Sequence, residues 1–456
     1  MANITLLFNP NNVLLVGSSK IQEQIGMTSP QLFESVLYNM RKYYEGTTYT
    51  IDTEDARGIR AYEDIPNTPD LAVIMLPPNA SILQSERCAA IGVKVLVIIA
   101  GGYKPDQRKA LAKLKEEYGI RILGPNTIMG VINTTNGLNT TFERDVMPIK
   151  GGISVISQSG GVGACLLDWA CSYGIGVAKF AFMGDKIDVN DIDLLRYFRD
   201  DADTQTICLY MEGIEDGRSF IEAAQEVVRK KPILALKGGV TAEAARRVLS
   251  HTASIAGSDT IVNAAFRKAG IIRAIDEEDL LNMAIALVQQ PPLSGDNIAI
   301  VSNVGGPAIL AADAVIRNQL RLAKLSEVTI QKIERRCPGV DVVNPIDLIA
   351  DARAERYSIV LDAVLSDPSV DGLMVINMLK SCFFEPEDAI AIAEVAKQHP
   401  DKPIVDVPAG GEDFMRILEV LRSTGIPTYN TPEKAARALG ALRQHSKIHE
   451  RLKSQR

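Results

Sequence analysis

His251 lies in the run Ser250-His251-Thr252-Ala253-Ser254-Ile255-Ala256-Gly257-Ser258-Asp259, among small and hydroxylated side chains. It is one of four histidines in 456 residues, and the others, His399, His445 and His449, fall in segments that read as polar helix ends. An imidazole is largely neutral near pH 7, so it can serve as a nucleophile or carry a proton. The plainer alternative is a loop histidine bonded to a backbone group. A helix is expected after the loop, from 259 to 269, with Ser258 or Asp259 as its N-cap.

Two other runs could seat an anion. Ile153-Ser154-Val155-Ile156-Ser157-Gln158-Ser159-Gly160-Gly161-Val162-Gly163 reads as a strand that turns into a helix lasting to about Tyr173. Such a turn offers N–H groups at the positive end of a helix dipole, which suits an oxyanion or phosphate. A turn kept small only for packing is the alternative. Ile298-Ala299-Ile300-Val301-Ser302-Asn303-Val304-Gly305-Gly306-Pro307 repeats the pattern, Ser302 standing for Ser157 and Gly305-Gly306 for Gly160-Gly161. Lys231-Pro232-Ile233 and Lys402-Pro403-Ile404 each open a strand that ends near a Gly-Gly pair. The middle and last thirds therefore read as two copies of one unit.

Glu212 follows an expected strand at 206–210, on the same sheet edge as the Ser157 turn. It is either a solvated end-of-strand residue or the carboxylate that fixes the tautomer of His251 and steadies its cation. The acidic stretch 185–193 reads as a solvated helix start, with a metal site as the weaker alternative.

Short β-branched runs ending in glycine or proline alternate with helical patterns along the whole chain, which argues for parallel sheets of the α/β class. The first strand is expected to end in Gly17-Ser18-Ser19, with others at 48–51, 71–76 and 95–99 and helices at 30–43, 80–91 and 106–118. Open α/β sheets bind nucleotides at their strands' carboxyl ends. GxGxxG is absent, however, and Asp52 is the one acidic residue that could be argued for NAD, so a sheet without ligand stays open. Residues 133–147 read as irregular. The expected domains are 1–149, 150–290 and 296–446, with Pro291 to Gly295 as linker and a frayed basic tail at 447–456 after a helix from Pro432 to about His445.

Composition narrows the classes. A net charge of −7 advertises no surface for nucleic acid. No apolar run approaches the roughly 18 residues that span a bilayer, and no secretory signal is expected. Six cysteines without a CxxC motif or a histidine neighbour read as reduced thiols of a cytoplasmic protein, not as a zinc site.

In this order the runs 156–160, 209–218, 231–239 and 250–259 resemble the α-subunit of the ADP-forming (NDP-forming) acyl-CoA synthetases, relatives of succinyl-CoA synthetase. The resemblance covers almost the whole chain. It implies a Rossmann-like CoA-binding domain followed by two flavodoxin-like parallel-sheet domains of the succinyl-CoA synthetase type. It also implies that His251 is phosphorylated and that Glu212 orients it. Phosphate is then held by Ser157, Gln158, Ser159, Gly160 and Gly161, and by Ser302, Asn303, Gly305 and Gly306. The positions matching the family's coenzyme A site are Gly17, Ser18, Ser19, Lys20, Pro77, Gly101, Gly102 and Asn126; no metal ligand is implied in this chain. ADP or ATP with Mg is expected on an ATP-grasp β-subunit, in an α2β2 assembly, since this chain carries no ATP-grasp region and no GxxxxGK[ST]. The substrates implied are acyl-CoA, carboxylic acid and phosphate, with acetate, branched-chain and aryl acids all open.

Two departures stand out. Ala253 replaces the family's glycine after Ser-His-Thr, and Ile21 to Gly26 replace its Pro-Gly-Lys/Arg-x-Gly. The rival readings are a CoA-binding regulatory module without turnover and a nicotinamide dehydrogenase.

Overall fold

The computed structural model describes residues 2–20, 30–54, 58–59, 61–246, 258–378, 384–409, 419–421 and 423–454. The chain forms two compact units, Met1–Glu277 and Glu278–Arg456.

The first unit holds two sheets. In one, five parallel strands lie in the order Thr47–Asp52, Asn12–Gly17, Leu71–Ile74, Val95–Ile98 and Arg121–Leu123. Its inner strands are apolar throughout, as expected where helices cover both faces. Helix Pro30–Tyr43 falls where the pattern predicts it. Helices Pro78–Ala90 and Pro105–Tyr118 start one or two residues early, each on a proline, because the first helical turn needs no N–H from that residue. Strand order reverses direction between Asn12–Gly17 and Leu71–Ile74, and at such a switch point a crevice opens.

The second sheet runs Ile272–Ala274, Ile233–Lys237, Thr206–Met211, Lys150–Ser157 and Val177–Phe182, all parallel. A hairpin, Val131–Asn133 with Leu138–Asn139, extends it antiparallel. From residue 133 on, this stretch was expected to be irregular. It reads as loop because its polar side chains are buried and bonded to backbone: Asn133 Nδ2 donates to the distant Phe8 O at 2.9 Å and Asn139 Nδ2 to the nearby Val146 O at 2.9 Å.

The acidic stretch also differs from expectation. Asn190 caps helix Asp191–Asp200, but Asp188 is buried, not solvated. It meets Arg121 Nε at 2.8 Å, Lys115 Nζ at 2.6 Å and the Ile122 N–H at 2.8 Å. Burial pushes its carboxyl up, and these three partners together outweigh that and hold it below the ordinary range. A depressed carboxylate stabilises the fold above the unfolded value near pH 4, and the contribution fades as pH falls through the lower folded value. Asp188→Asn should therefore cost about 2 kcal/mol at pH 7. Melting curves of the two proteins should converge below about pH 3.

The second unit repeats the layout. Strands Arg321–Leu322, Asn297–Ser302, Gly372–Met378 and Ile404–Ala409 run parallel in that order, and Ile346–Asp347 also pairs with Asn297–Ser302, at its carboxyl end. In both copies the strand leading to the Ser/Gly turn lies at the switch point. Helix Pro432–Ser454 continues through the expected tail, placing His445 and His449 inside it. Side-chain pairing holds it: Asp296 accepts from Arg443 at 2.7 Å and Lys447 at 3.0 Å, and Arg443 reaches Glu450 at 3.0 Å.

Candidate functional site

Ser157 ends its strand between Tyr210 and Phe182 on the two neighbours. Its Oγ donates to Ser159 O at 2.6 Å and accepts the Ser159 N–H at 3.1 Å, closing the turn on itself. Ser159 then caps helix Gly160–Tyr173, its Oγ accepting from the Val162 N–H at 3.4 Å. First-turn N–H groups have no partner inside a helix. A methyl group built on Gly161 would meet nothing within 4 Å, so the chain's own packing does not ask for glycine there. What glycine preserves is bare backbone facing open space, the condition for an anion to reach those N–H groups.

Gln158 does not fit the phosphate-binding role. Its N–H donates to Tyr210 O at 3.1 Å, and Nε2 donates to Asp191 Oδ1 at 2.8 Å and to Gly213 O at 3.0 Å. Its Oε1 accepts the N–H groups of Glu212 at 2.7 Å and Gly213 at 3.1 Å. Every donor is engaged, and the side chain clamps the loop that carries Glu212. Gln158→Leu removes both acceptor bonds to that loop, each worth about 1 kcal/mol. Amide exchange at Glu212 and Gly213, read by mass spectrometry, should quicken roughly tenfold to thirtyfold.

Glu212 is buried, not solvated, at 7% exposure. The Tyr210 hydroxyl donates to its Oε1 at 3.4 Å, and burial followed by the Glu212 charge pushes that phenol up to about 12. Lys237, buried at the end of Ile233–Lys237, bonds Gly238 O. Burial lowers its ammonium pKa, against the pull of Asp259 and Glu212. Lys237 and the clamping role of Gln158 were missed in the sequence; a charged residue closing an otherwise apolar strand was the available signal for the lysine.

Helix Asp259–Ala269 starts where expected, but Ser258 makes no capping bond, and Asp259 instead forms two contacts with Arg273, at 2.6 and 3.1 Å. His251 lies outside the described residues. The chain leaves the sheet at Lys237-Gly238, where a Cβ on Gly238 would come within 3.7 Å of Glu212 Cγ, continues through a helical turn to Arg246, and is described again from Ser258.

The second turn repeats the serine closure and the backbone bonds of the first, without the side-chain cap that Ser159 supplies. Ser302 Oγ donates to Val304 O at 2.8 Å and accepts the Val304 N–H at 3.1 Å. The Asn303 N–H donates to Ile376 O at 3.3 Å, as Gln158 does to Tyr210. Asn303 Oδ1 accepts the Met378 N–H at 2.8 Å, as Gln158 Oε1 does for Glu212. Helix Gly305–Arg317 follows, and Gly305 and Gly306 again face open space. Met378 therefore stands where the first copy has Glu212.

On the first sheet, Gly17 to Lys20 and Pro77 flank the switch point. Ser18 is buried and accepts the Lys20 N–H at 3.1 Å. The Ser19 N–H and Oγ both donate to Asp52, at 3.2 and 2.5 Å, so neither the serine's donors nor that carboxylate point to a ribose. Two strands away, Gly101 lies against Asn126, whose N–H donates to Ala100 O at 2.7 Å and whose Nδ2 donates to Asp185 at 3.3 Å, and Gly102 follows with a φ of 81°.

Residues 12–133 match the CoA binding domain family, and residues 150–287 match the succinyl-CoA ligase like flavodoxin domain. The chain is 36% identical to the α-subunit of acetate–CoA ligase (ADP-forming) II of Pyrococcus furiosus, covering 96% of this chain and 97% of that one. It is 37% identical to the ADP-forming acetate–CoA ligase of Methanocaldococcus jannaschii, covering 96% of this chain but 62% of that longer one. Among solved structures it is similar to acetyl-coenzyme A synthetase 1 of Candidatus Korarchaeum cryptofilum in complex with phosphate and ADP. That match has a TM-score of 0.90 at 31% identity and covers 100% of this chain and 99% of the other.

Proposed function

Because the chain belongs to the family of ADP-forming acetate–CoA ligase α-subunits, we propose that it interconverts acyl-CoA, ADP and phosphate with a carboxylic acid, CoA and ATP, together with an ATP-grasp partner. In the thioester-cleaving direction phosphate, held on the first-turn N–H groups at Gly160 and Gly161, attacks the acyl carbonyl and CoA leaves as the thiolate. The product is an acyl phosphate. His251 then attacks phosphorus in line with the departing carboxylate, using the lone pair of one ring nitrogen. Its other nitrogen keeps its proton, directed at Glu212, whose charge steadies the ring as it becomes cationic. Helix N-termini and positioning supply most of the assistance such a transfer needs. The phosphoryl group passes finally to ADP on the partner, where Mg would be held.

A buried carboxylate carries this reading: Glu212 is fixed by Gln158 on the edge that holds both the Ser157 turn and the end of the strand from which the chain runs on toward His251. A CoA-binding module without turnover gives no reason to clamp an acid there. Coenzyme A is assigned to the crevice by Gly17, Ser18, Lys20 and Pro77 with Gly101, Gly102 and Asn126. Ser19 supports that loop through Asp52. The second turn, with Ser302, Asn303, Gly305 and Gly306, is assigned as a further phosphate contact, Asn303 acting as clamp, in domains divided at 149/150 and 290/296. An α2β2 assembly in the cytoplasm completes the proposal; among the described residues no helix is long and apolar enough to cross a membrane. Co-expression with an ATP-grasp chain tests it: thioester cleavage beyond a single turnover should require both ADP and phosphate. Cleavage independent of either would contradict it.

A further inference from the structure

In the sheet of the second unit a buried acid meets a buried amide, and each is left with one oxygen that has no partner. We infer that Asp406 is a neutral carboxylic acid in the folded chain, donating its proton to Asn377, and that its ionisation as pH rises is a switch on the carboxyl end of that sheet.

Asp406 and Asn377 are both fully buried. Their neighbours along the strands show which face they share. Ile404 and Val375 pack with Tyr357 and Ala389, whereas Val405, Val407 and Ile376 pack on the other face with Ala311 and Ala435. Alternation puts Asn377 and Asp406 on the first of these faces, under helices Ala354–Ser366 and Pro386–Gln398. There Asn377 Nδ2 donates to Asp406 Oδ1 at 2.5 Å. Asn377 Oδ1 and Asp406 Oδ2 remain, and neither has a hydrogen-bond partner. Two acceptors cannot satisfy each other. A proton on Oδ2 turns that atom into a donor and supplies the bond that both oxygens lack.

The charged groups on the facing elements are engaged elsewhere. Arg356 donates to Leu348 O at 2.8 Å and to Asp351 at 2.6 Å. Arg353 pairs with Glu385 at 2.6 Å and Asp388 at 3.6 Å. Asp388, on the second helix, also accepts the Glu385 N–H at 2.7 Å. Tyr357 is buried with its hydroxyl unpartnered; burial first, then the charges of Asp406 and Asp388, push its phenol up, so it stays neutral. With no counter-ion among the described residues, burial raises the Asp406 carboxyl well above the ordinary range.

The first copy shows that the fold itself asks for neither residue. Ser157 pairs with Tyr210 as Ser302 does with Ile376, and Leu209 pairs with Ala235 as Val375 does with Asp406. Met211 and Ala235 therefore stand where the second copy has Asn377 and Asp406. The polar pair adjoins the clamp on the second turn, since Asn377 precedes Met378, whose N–H donates to Asn303 Oδ1 at 2.8 Å. Ionised Asp406 is a buried charge without a partner, and admitting water relieves it. That parts the acid from Asn377 and loosens the strand end that Asn303 grips.

The folded value lies above the unfolded one, near 4, so this group's contribution is fully present below about pH 4 and is lost as pH rises toward the folded value. Asp406→Asn keeps a donor and an acceptor facing Asn377 and cannot ionise. Asp406→Ala with Asn377→Met installs the first copy's pair and serves if the single variant fails to fold. Infrared spectra of the full chain with isotope-labelled aspartate should show, at neutral pH, a protonated-carboxyl band that is absent from both variants. From about pH 5 to 8 the unfolding constant in urea should grow about tenfold per pH unit relative to that of either variant. Exchange at the Met378 amide, relative to its intrinsic rate, should quicken with pH only in the unsubstituted chain. Absence of the band, its persistence in the variants, or a ratio of unfolding constants that stays flat with pH would overturn the inference. So would stability that depends on Na⁺ or K⁺ at fixed ionic strength and loses that dependence in Asp406→Asn, which would make Asp406 an ionised ligand.

Discussion

His251→Asn should leave a folded chain whose formation of ATP from acyl-CoA, ADP and phosphate is lower by on the order of 10⁴-fold or more. The imidazole is the only covalent carrier in the proposed sequence, and an amide of similar size cannot accept a phosphoryl group. The first half of the reaction does not use the ring. Acyl phosphate should therefore still form in the variant, detectable as a hydroxamate after trapping, while ATP does not. Melting temperature is the control for folding.

Glu212→Gln comes next in size, with an expected loss of about 10²- to 10³-fold in kcat and little change in KM for acyl-CoA. The substitution is unusually clean because Gln158 grips the backbone N–H groups of residues 212 and 213, not the carboxylate. The loop should stay in place while its charge disappears. The ring would then lose the partner that fixes its tautomer and steadies its positive charge. Amide exchange at 212 and 213 separates this effect from that of Gln158→Leu: it should be unchanged in Glu212→Gln and faster in the other variant.

Much of the layout was legible because local signals agreed with the tertiary fold. The strand-turn-helix run around Ser157 reads correctly since apolar alternation stops at a Ser/Gly turn and resumes with helical spacing to Tyr173. Its copy at Ser302 reads the same way, down to the serine that closes each turn. What failed depends on partners far along the chain. The hairpin from residue 133 on looks like loop because Asn133 is satisfied by the distant Phe8 carbonyl. Asp188 looks solvated because Arg121 and Lys115 lie some seventy residues away. The tail looks frayed because Asp296, which holds Arg443 and Lys447, belongs to another element.

At the candidate site the residue types were legible and some of their tasks were not. Gln158 and Asn303 sit in anion-seating turns, and nothing local reveals that their amides face inward to grip the next strand's loop. Ser19 likewise matches a CoA-contacting position while donating to Asp52. Burial decided for Glu212: spacing allowed a solvated residue, and packing on Tyr210 and Gln158 excludes it.

The most direct measurement is transfer of labelled inorganic phosphate to the protein from acyl-CoA in the absence of ADP. The assembly should acquire acid-labile, alkali-stable label on the peptide containing His251, and His251→Asn should acquire none. Continued thioester cleavage to free acid and CoA with no label on that peptide, or label retained in His251→Asn, would contradict the carrier role on which the proposed reaction depends.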